Sequence, residues 1–296
     1  MRAYGDNKRP LYFLTASGIL NVVLNLVFVL CFHMSVEGVA IATFVSQGVA
    51  AFMNLHCLMR IDNGCRTEIK KTRVHKKELF EIFRYGIPTG IQSTVFAMSN
   101  VLLQSAINSF GSATMAAHGA VNYLGNILGN VSNGFGNAAT TACAQNYGAK
   151  CKDRIRKSWL TCLLGVGFVL LVLGIIAVSI VPVFMLIFTR EAETIKIGIH
   201  IAKYYIPFWF LGGIMNVSSS SLRGIGQSMI PMIVSIFGTC VMRVIWIFTV
   251  FAHWRTLGVL YTNYPVTWFM TGLIQNILFL VFYHKLAYHK QEEKKA

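Results

Sequence analysis

The sequence predicts an all-α fold, a polytopic membrane helix bundle with eight transmembrane helices. Three observations carry that expectation. The 296 residues are 55% hydrophobic and only 12% charged, about half the charged share of soluble domains. The apolar residues gather into runs of about twenty, the length that crosses a bilayer. A basic, glycine-bearing turn closed by proline also occurs twice, as Arg2-Ala3-Tyr4-Gly5 … Pro10 and as Arg223-Gly224-Ile225-Gly226 … Pro231. Each copy leads into an apolar run, a short loop and a second run, headed by Val36-Glu37-Gly38-Val39 in one and Leu257-Gly258-Val259-Leu260 in the other. Repetition on that scale in an apolar chain marks duplicated helical bundles.

Taken in order, the spans fall at 10–32, 37–59, 86–109, 117–145, 158–188, 197–221, 231–252 and 262–284. The first apolar run is long enough to span, which argues against a cleavable signal peptide. The longest polar stretch, 60–85, is the natural boundary. It divides the chain into a two-helix portion (1–59), a cytoplasmic loop, a six-helix portion (86–286) and a tail (287–296). Within the loop, Lys76 to Tyr85 reads either as an amphipathic helix with Leu79, Phe80, Ile82 and Phe83 turned to lipid or as a solvated connector. If the two halves are equal, four helices precede Met1, because the repeated turn in the six-helix half has four spans upstream.

Charge placement fixes the sidedness. Of the 26 Lys and Arg residues, Arg190, Lys196 and Arg255 fall on one face and Lys203 and Arg243 lie inside spans. The rest sit in the opening turn, the 60–85 loop, the connection 150–157, Arg223 and the tail, all on the other face. Eight spans with both termini cytoplasmic satisfy the positive-inside rule, in a multi-pass plasma-membrane protein. The net charge of +15 therefore reflects membrane topology, and a nucleic-acid partner is excluded. The seven cysteines are scattered, with no Cys-x-x-Cys pair and no histidine at ligand spacing. They predict neither a metal site nor a disulfide framework. The Gly-rich turn 223–226 lacks the Lys-Ser/Thr and the strand of a phosphate loop. No catalytic triad or metal-ligand pattern appears, so an enzyme is not expected and no cofactor is implied.

Polar side chains inside the spans mark the candidate site. Asn122, Asn126, Asn130, Asn133 and Asn137 fall within an arc of about 80° at helical spacing. Carboxamides facing lipid would leave donors and acceptors unpaired, so this face turns to protein or water. It is either a wall of a substrate cavity or a line of interhelical hydrogen bonds. His118 lies just beyond the arc. Ser93, Asn100, Gln104 and Asn108 form a shorter stripe, with Asn100 and Gln104 as cavity candidates and Asn108 belonging to a turn. Tyr204, Tyr205, Phe208 and Trp209 offer either ring faces for a cationic or planar ligand or interfacial anchors. Asn216 and Ser218 to Ser221 either line the same cavity or fill a tight helix contact. Arg243 is the one charge well inside an apolar span, and intramembrane charges default to functional roles. A structural or gating part is the expectation, with the guanidinium paired to a helix carbonyl end or facing an aqueous interior.

The ordered set of motifs resembles the multidrug and toxic compound extrusion (MATE) family. It comprises Arg2-Ala3-Tyr4-Gly5-Asp6 … Pro10, Gly18-Ile19-Leu20-Asn21 and Glu37-Gly38-Val39-Ala40-Ile41-Ala42-Thr43. It continues with Gly86-Ile87-Pro88, Ile107-Asn108-Ser109-Phe110-Gly111, Ala144-Gln145-Asn146-Tyr147-Gly148-Ala149 and Leu222-Arg223-Gly224-Ile225-Gly226. The pattern looks closest to the bacterial DinF-like branch. The resemblance implies two six-helix lobes around a cavity, here the last two helices of the first lobe and a complete second lobe. It also implies alternating access, with export of small amphipathic or cationic compounds driven by H+ or Na+. Arg2, Gly5, Pro10, Pro88, Arg223, Gly224 and Gly226 then take structural or gating parts. Where Na+-linked relatives carry second-lobe acids, this chain has Phe96 and Gly212. The resemblance thus places the coupling site outside this stretch of sequence. A flippase for lipid-linked oligosaccharides, built on a related duplicated bundle, is the alternative, disfavoured by a single intramembrane cation.

Overall fold

The computed structural model describes Asp6 and residues 8–60 and 73–292, with side chains through Lys285. Arg2, Gly5 and residues 61–72 of the expected loop lie outside the described residues. Among the described residues every regular element is helical: α1 Lys8–Cys31, α2 Val36–Arg60, α3 Lys76–Asn108, α4 Ser112–Gly148, α5 Lys152–Met185, α6 Ala192–Tyr205, α7 Trp209–Gly224, α8 Met229–Phe251 and α9 Leu257–Glu292. The protein is a helical membrane bundle. It divides into two compact units, Met1–Leu79 and Phe80–Ala296.

In the first unit α1 and α2 form an antiparallel pair. Pro10 sits in the first turn of α1, where backbone N–H groups lack helical partners in any case. The buried positions of α2 are Gly38, Ala42, Ser46 and Ala50. That spacing of four sets small residues on one face and lets the neighbouring backbone come close. Across the contact, Ser17 Oγ donates to the Ser46 carbonyl at 2.6 Å and Asn21 Nδ2 to Ser46 Oγ at 3.1 Å. The opposite faces expose large apolar side chains such as Phe44 and Phe52, as lipid-facing helices do.

The second unit holds the site. Helix α3 begins at Lys76, not near Gly86, and runs unbroken through the buried Pro88. The amphipathic stretch is therefore helical and continuous with the span, with Phe80 and Ile82 exposed. The segment read as one span, 197–221, is instead two helices. Pro207 cannot donate to an i−4 carbonyl, and Ile206–Phe208 tighten to a 3-10 turn between α6 and α7. Among the described residues, five helices are long and apolar enough to cross a bilayer: α1, α2, α5, α8 and Leu257–Lys285 of α9. Helices α3 and α4 are as long but interrupted by amides and hydroxyls, and α6 and α7 are short pieces.

Helix α4 packs against α5, α6 and α7, and α9 against α6 and α7. The α4–α7 contact is the most extensive. Ser218, Ser219, Ser220 and Ser221 are all buried, with Thr140 Oγ1 donating to the Ser220 carbonyl across this contact and Ser218 Oγ turned to Asn276 Oδ1 of α9, and a Cβ on Gly224 would lie 2.7 Å from the Thr140 carbonyl oxygen. These serines therefore fill a packed helix contact, the second of the two sequence readings. Gly111 takes φ +95° and turns the chain from α3 into α4, in the region that favours glycine.

The duplication extends to backbone geometry. Helix α1 widens to a π turn at Val27–Cys31, and α8 does so at Ile247–Phe251. The second stands to Gly258 as the first stands to Gly38. Helix α8 carries another π turn at Ile236–Val241, so Arg243 lies on a short α segment, Met242–Trp246, between two wide turns.

Candidate functional site

A cavity of about 320 Å³ opens among α3, α4, α6, α7, α8 and α9 of the second unit. Helix α3 supplies Phe96, Asn100, Leu103, Gln104 and Ile107, and α4 supplies His118, Asn122 and Asn126. Tyr205 and Trp209 come from either side of the Pro207 break, Arg243 from α8, and Tyr264 and Trp268 from α9. None of these lining residues is acidic.

Arg243 is 2% exposed. Its Nη1 donates to Asn100 Oδ1 at 2.7 Å and approaches Ser99 Oγ at 3.5 Å. The guanidinium carbon lies 4.8 Å from the centre of the Tyr264 ring, a cation–π distance. Its Nε is buried with no hydrogen-bond partner. Of the two partners the sequence suggested, a helix carbonyl end is not the one found. A side-chain carbonyl takes that place, and the charge borders the interior of the unit.

The remaining wall is aromatic. Trp209 and Trp268 pack with ring centres 5.1 Å apart, Tyr264 and Trp268 at 5.3 Å, and Tyr205 and Tyr264 at 5.2 Å. Tyr261 Oη is 2.8 Å from His118 Nδ1, which joins α9 to α4 beneath the cavity. Trp268 also covers Gly212, where an added Cβ would fall 3.2 Å from the indole. A side chain at that glycine would require the Trp268 indole to give by a few tenths of an ångström. Phe96 is part of the lining.

The predicted site residues separate into three groups. Asn100, Gln104, Asn122, Asn126, Tyr205 and Arg243 meet at the cavity. Gln104 also donates to Asn108 Oδ1 at 2.8 Å, one turn on, at the end of α3. Asn133 and Asn216 meet elsewhere: Asn216 Nδ2 donates to Asn133 Oδ1 and to Ser132 Oγ, each at 3.1 Å, across the α4–α7 contact. Asn130 and Asn137 are exposed on the same face of α4. The amide stripe thus does both jobs that the sequence left open, lining at one end and bonding between helices further along. Asn216→Leu is expected to lower stability by about 1 kcal/mol, read as a lower midpoint in detergent-driven unfolding. Equal midpoints would show those two bonds to contribute nothing.

A second cavity, about 420 Å³, lies between Thr89, Gln92, Ser93, Phe96, Ala97, Asn100 and Arg223. Arg223 Nη2 donates to Ser220 Oγ at 3.0 Å, and its Nη1 reaches Gln92 Oε1 at 3.5 Å. It ties α7 to α3, with Gly226 (φ +86°) turning the chain just beyond. The aromatic cluster of the sequence is divided. Tyr204 and Phe208 face a separate apolar groove with Pro265 and Phe269, while Tyr205 and Trp209 line the central cavity. Sequence reasoning passed over Tyr261, Tyr264 and Trp268. Their spacing of three and four puts them on one face of α9, and that was the available signal.

Comparison with known proteins agrees with this architecture. The family model described as MatE matches residues 88–249. The chain is 25% identical to the probable multidrug resistance protein YoeA of Bacillus subtilis, over 99% of this chain and 64% of that protein. It is 31% identical to the probable multidrug resistance protein YpnP of the same organism over 52% of this chain and 34% of that one. Among solved structures, a mutant of the MATE transporter VcmN from Vibrio cholerae superimposes with a TM-score of 0.85 at 17% identity. That match covers 96% of this chain and 64% of the other. The chain therefore spans about 64% of the length of the relatives it matches along nearly its whole length.

Proposed function

The chain belongs to the MatE family, and from that membership we propose that it acts in a secondary active efflux transporter. It exports organic cations and other small amphipathic compounds by alternating access, driven by inward H+ or Na+. It resides in the plasma membrane with both ends of this chain on the cytoplasmic side, where the basic connections lie. The observation that supports transport is the cavity within the second unit, walled by Tyr205, Trp209, Tyr264 and Trp268 and edged by Asn100, Gln104, Asn122 and Asn126. Polar groups at that depth in a membrane bundle mark substrate or ion pathways. A cavity of aromatic faces with a few convergent polar groups is how small-molecule sites are built.

Cells expressing the protein should accumulate less of a cationic dye such as ethidium than cells without it. Collapse of either the H+ or the Na+ gradient should abolish the difference and so identify the driving ion. Flipping of lipid-linked oligosaccharides is the competing reading. It predicts unchanged dye accumulation, and that result would overturn the export proposal.

A further inference from the structure

The cavity of the second unit is electrostatically one-sided. Arg243 borders it with a buried charge, and no lining side chain is acidic. A lone intramembrane cation is costly unless something answers it. Asn100 and Ser99 engage only Nη1, while Nε is buried and meets no protein acceptor. Two further donors on the wall share that condition: Tyr205 Oη and Trp209 Nε1 are buried without partners. Both lie against Gly125, whose missing side chain leaves them space. Unpaired buried donors are rare and call for an explanation.

We infer that this cavity accepts the anionic oxygen group of a planar aromatic compound, with Arg243 as its counter-charge. A carboxylate matches the guanidinium fork in geometry, and charge-assisted hydrogen bonds are the strong ones. The aromatic walls take the body of the ligand, and about 320 Å³ suits a small ring system. A purely cationic ligand is disfavoured twice. It meets Arg243 as a like charge in a low-dielectric setting, and the Tyr264 face that would attract it already holds the guanidinium. A lipid-linked pyrophosphate carries more negative charge than one arginine answers. The inference rests on the export reading and departs from its cationic part at this cavity: compounds bound here are anionic or zwitterionic, and a purely cationic compound is handled outside it.

The test uses the full chain in nanodiscs and three probes of one shape: 2-naphthoate, neutral 2-naphthamide and 2-naphthyltrimethylammonium. Quenching of tryptophan fluorescence, corrected with protein-free nanodiscs, reports binding. The wild-type protein should bind the carboxylate about tenfold or more tighter than the amide, and the ammonium compound weakest. Arg243→Gln should erase the preference for the carboxylate, and Arg243→Lys should keep it in weaker form. Equal binding of the three probes by the wild type, or an undiminished preference in Arg243→Gln, overturns the inference. If the glutamine variant does not fold, the wild-type selectivity and the lysine variant decide. Binding is read here without transport. A failed dye-export assay beside an intact carboxylate preference would sink the cation-export reading and leave this site standing.

Discussion

Replacing Asn100 by leucine is expected to destabilise the second unit by about 2–3 kcal/mol. Hydrogen bonds to charged groups contribute about that much, and removing one partner leaves the other desolvated and unpaired. The Asn100 Oδ1 contact, 2.7 Å from Arg243 Nη1, is the shortest bond that the buried guanidinium makes. Leucine keeps the volume and removes the acceptor. If this account is right, the pair behaves non-additively. Arg243→Met alone and Asn100→Leu alone each lower the midpoint of unfolding, while the double variant recovers most of the loss, because no charge is then left buried. Additive losses across the cycle would show that the two side chains act independently.

Gly224→Val should be at least as damaging, by about 3 kcal/mol or through failure to assemble. The β-carbon would meet the Thr140 carbonyl oxygen at 2.7 Å and Cys143 Cβ at 2.9 Å, and backbone cannot swing aside as a flexible side chain does. Overpacking of this kind forces whole helices apart. Gly119→Ala is the control. Nothing lies within 4 Å of its added carbon, and alanine is the better helix former, so that variant should match or slightly exceed the wild type. Thermal unfolding of the purified protein in detergent compares the two. Equal loss in both would mean that the close α4–α7 approach does not govern the effect.

Much of this fold was legible before the coordinates. Apolar runs located the long helices, because spanning length and the cost of unpaired backbone in lipid leave the chain little choice. The boundaries were less legible where a local rule met a tertiary contact. The apolar run placed a span start at Gly86, yet α3 continues back to Lys76. Hydropathy ran smoothly across 197–221, although Pro207 was there to announce the break. The candidate site was partly legible: helical spacing placed Asn100, Gln104, Asn122 and Asn126 on shared faces, and all four line the cavity. Periodicity within one helix says nothing of which helix lies opposite. Arg243 and its partner are 143 positions apart, and the meeting of Asn133 with Asn216 is equally non-local. The α9 aromatics were hidden for another reason, since rings in an apolar span resemble ordinary packing until a void appears beside them.

The wide turn at Ile236–Val241 bears on where α8 aims its charge. A π turn holds an extra residue, so everything after it is rotated about the helix axis by roughly 100° relative to an unbroken α-helix. Met242–Trp246 begins immediately beyond. The compass bearing of Arg243 is therefore set by the pitch of the turn before it. Straighten that turn and the same arginine, at the same depth, would point away from Asn100. Removing one residue from Ile236–Val241 would let the helix regularise with Arg243 still on its bearing, whereas straightening the turn with every residue kept dials the charge past its mark.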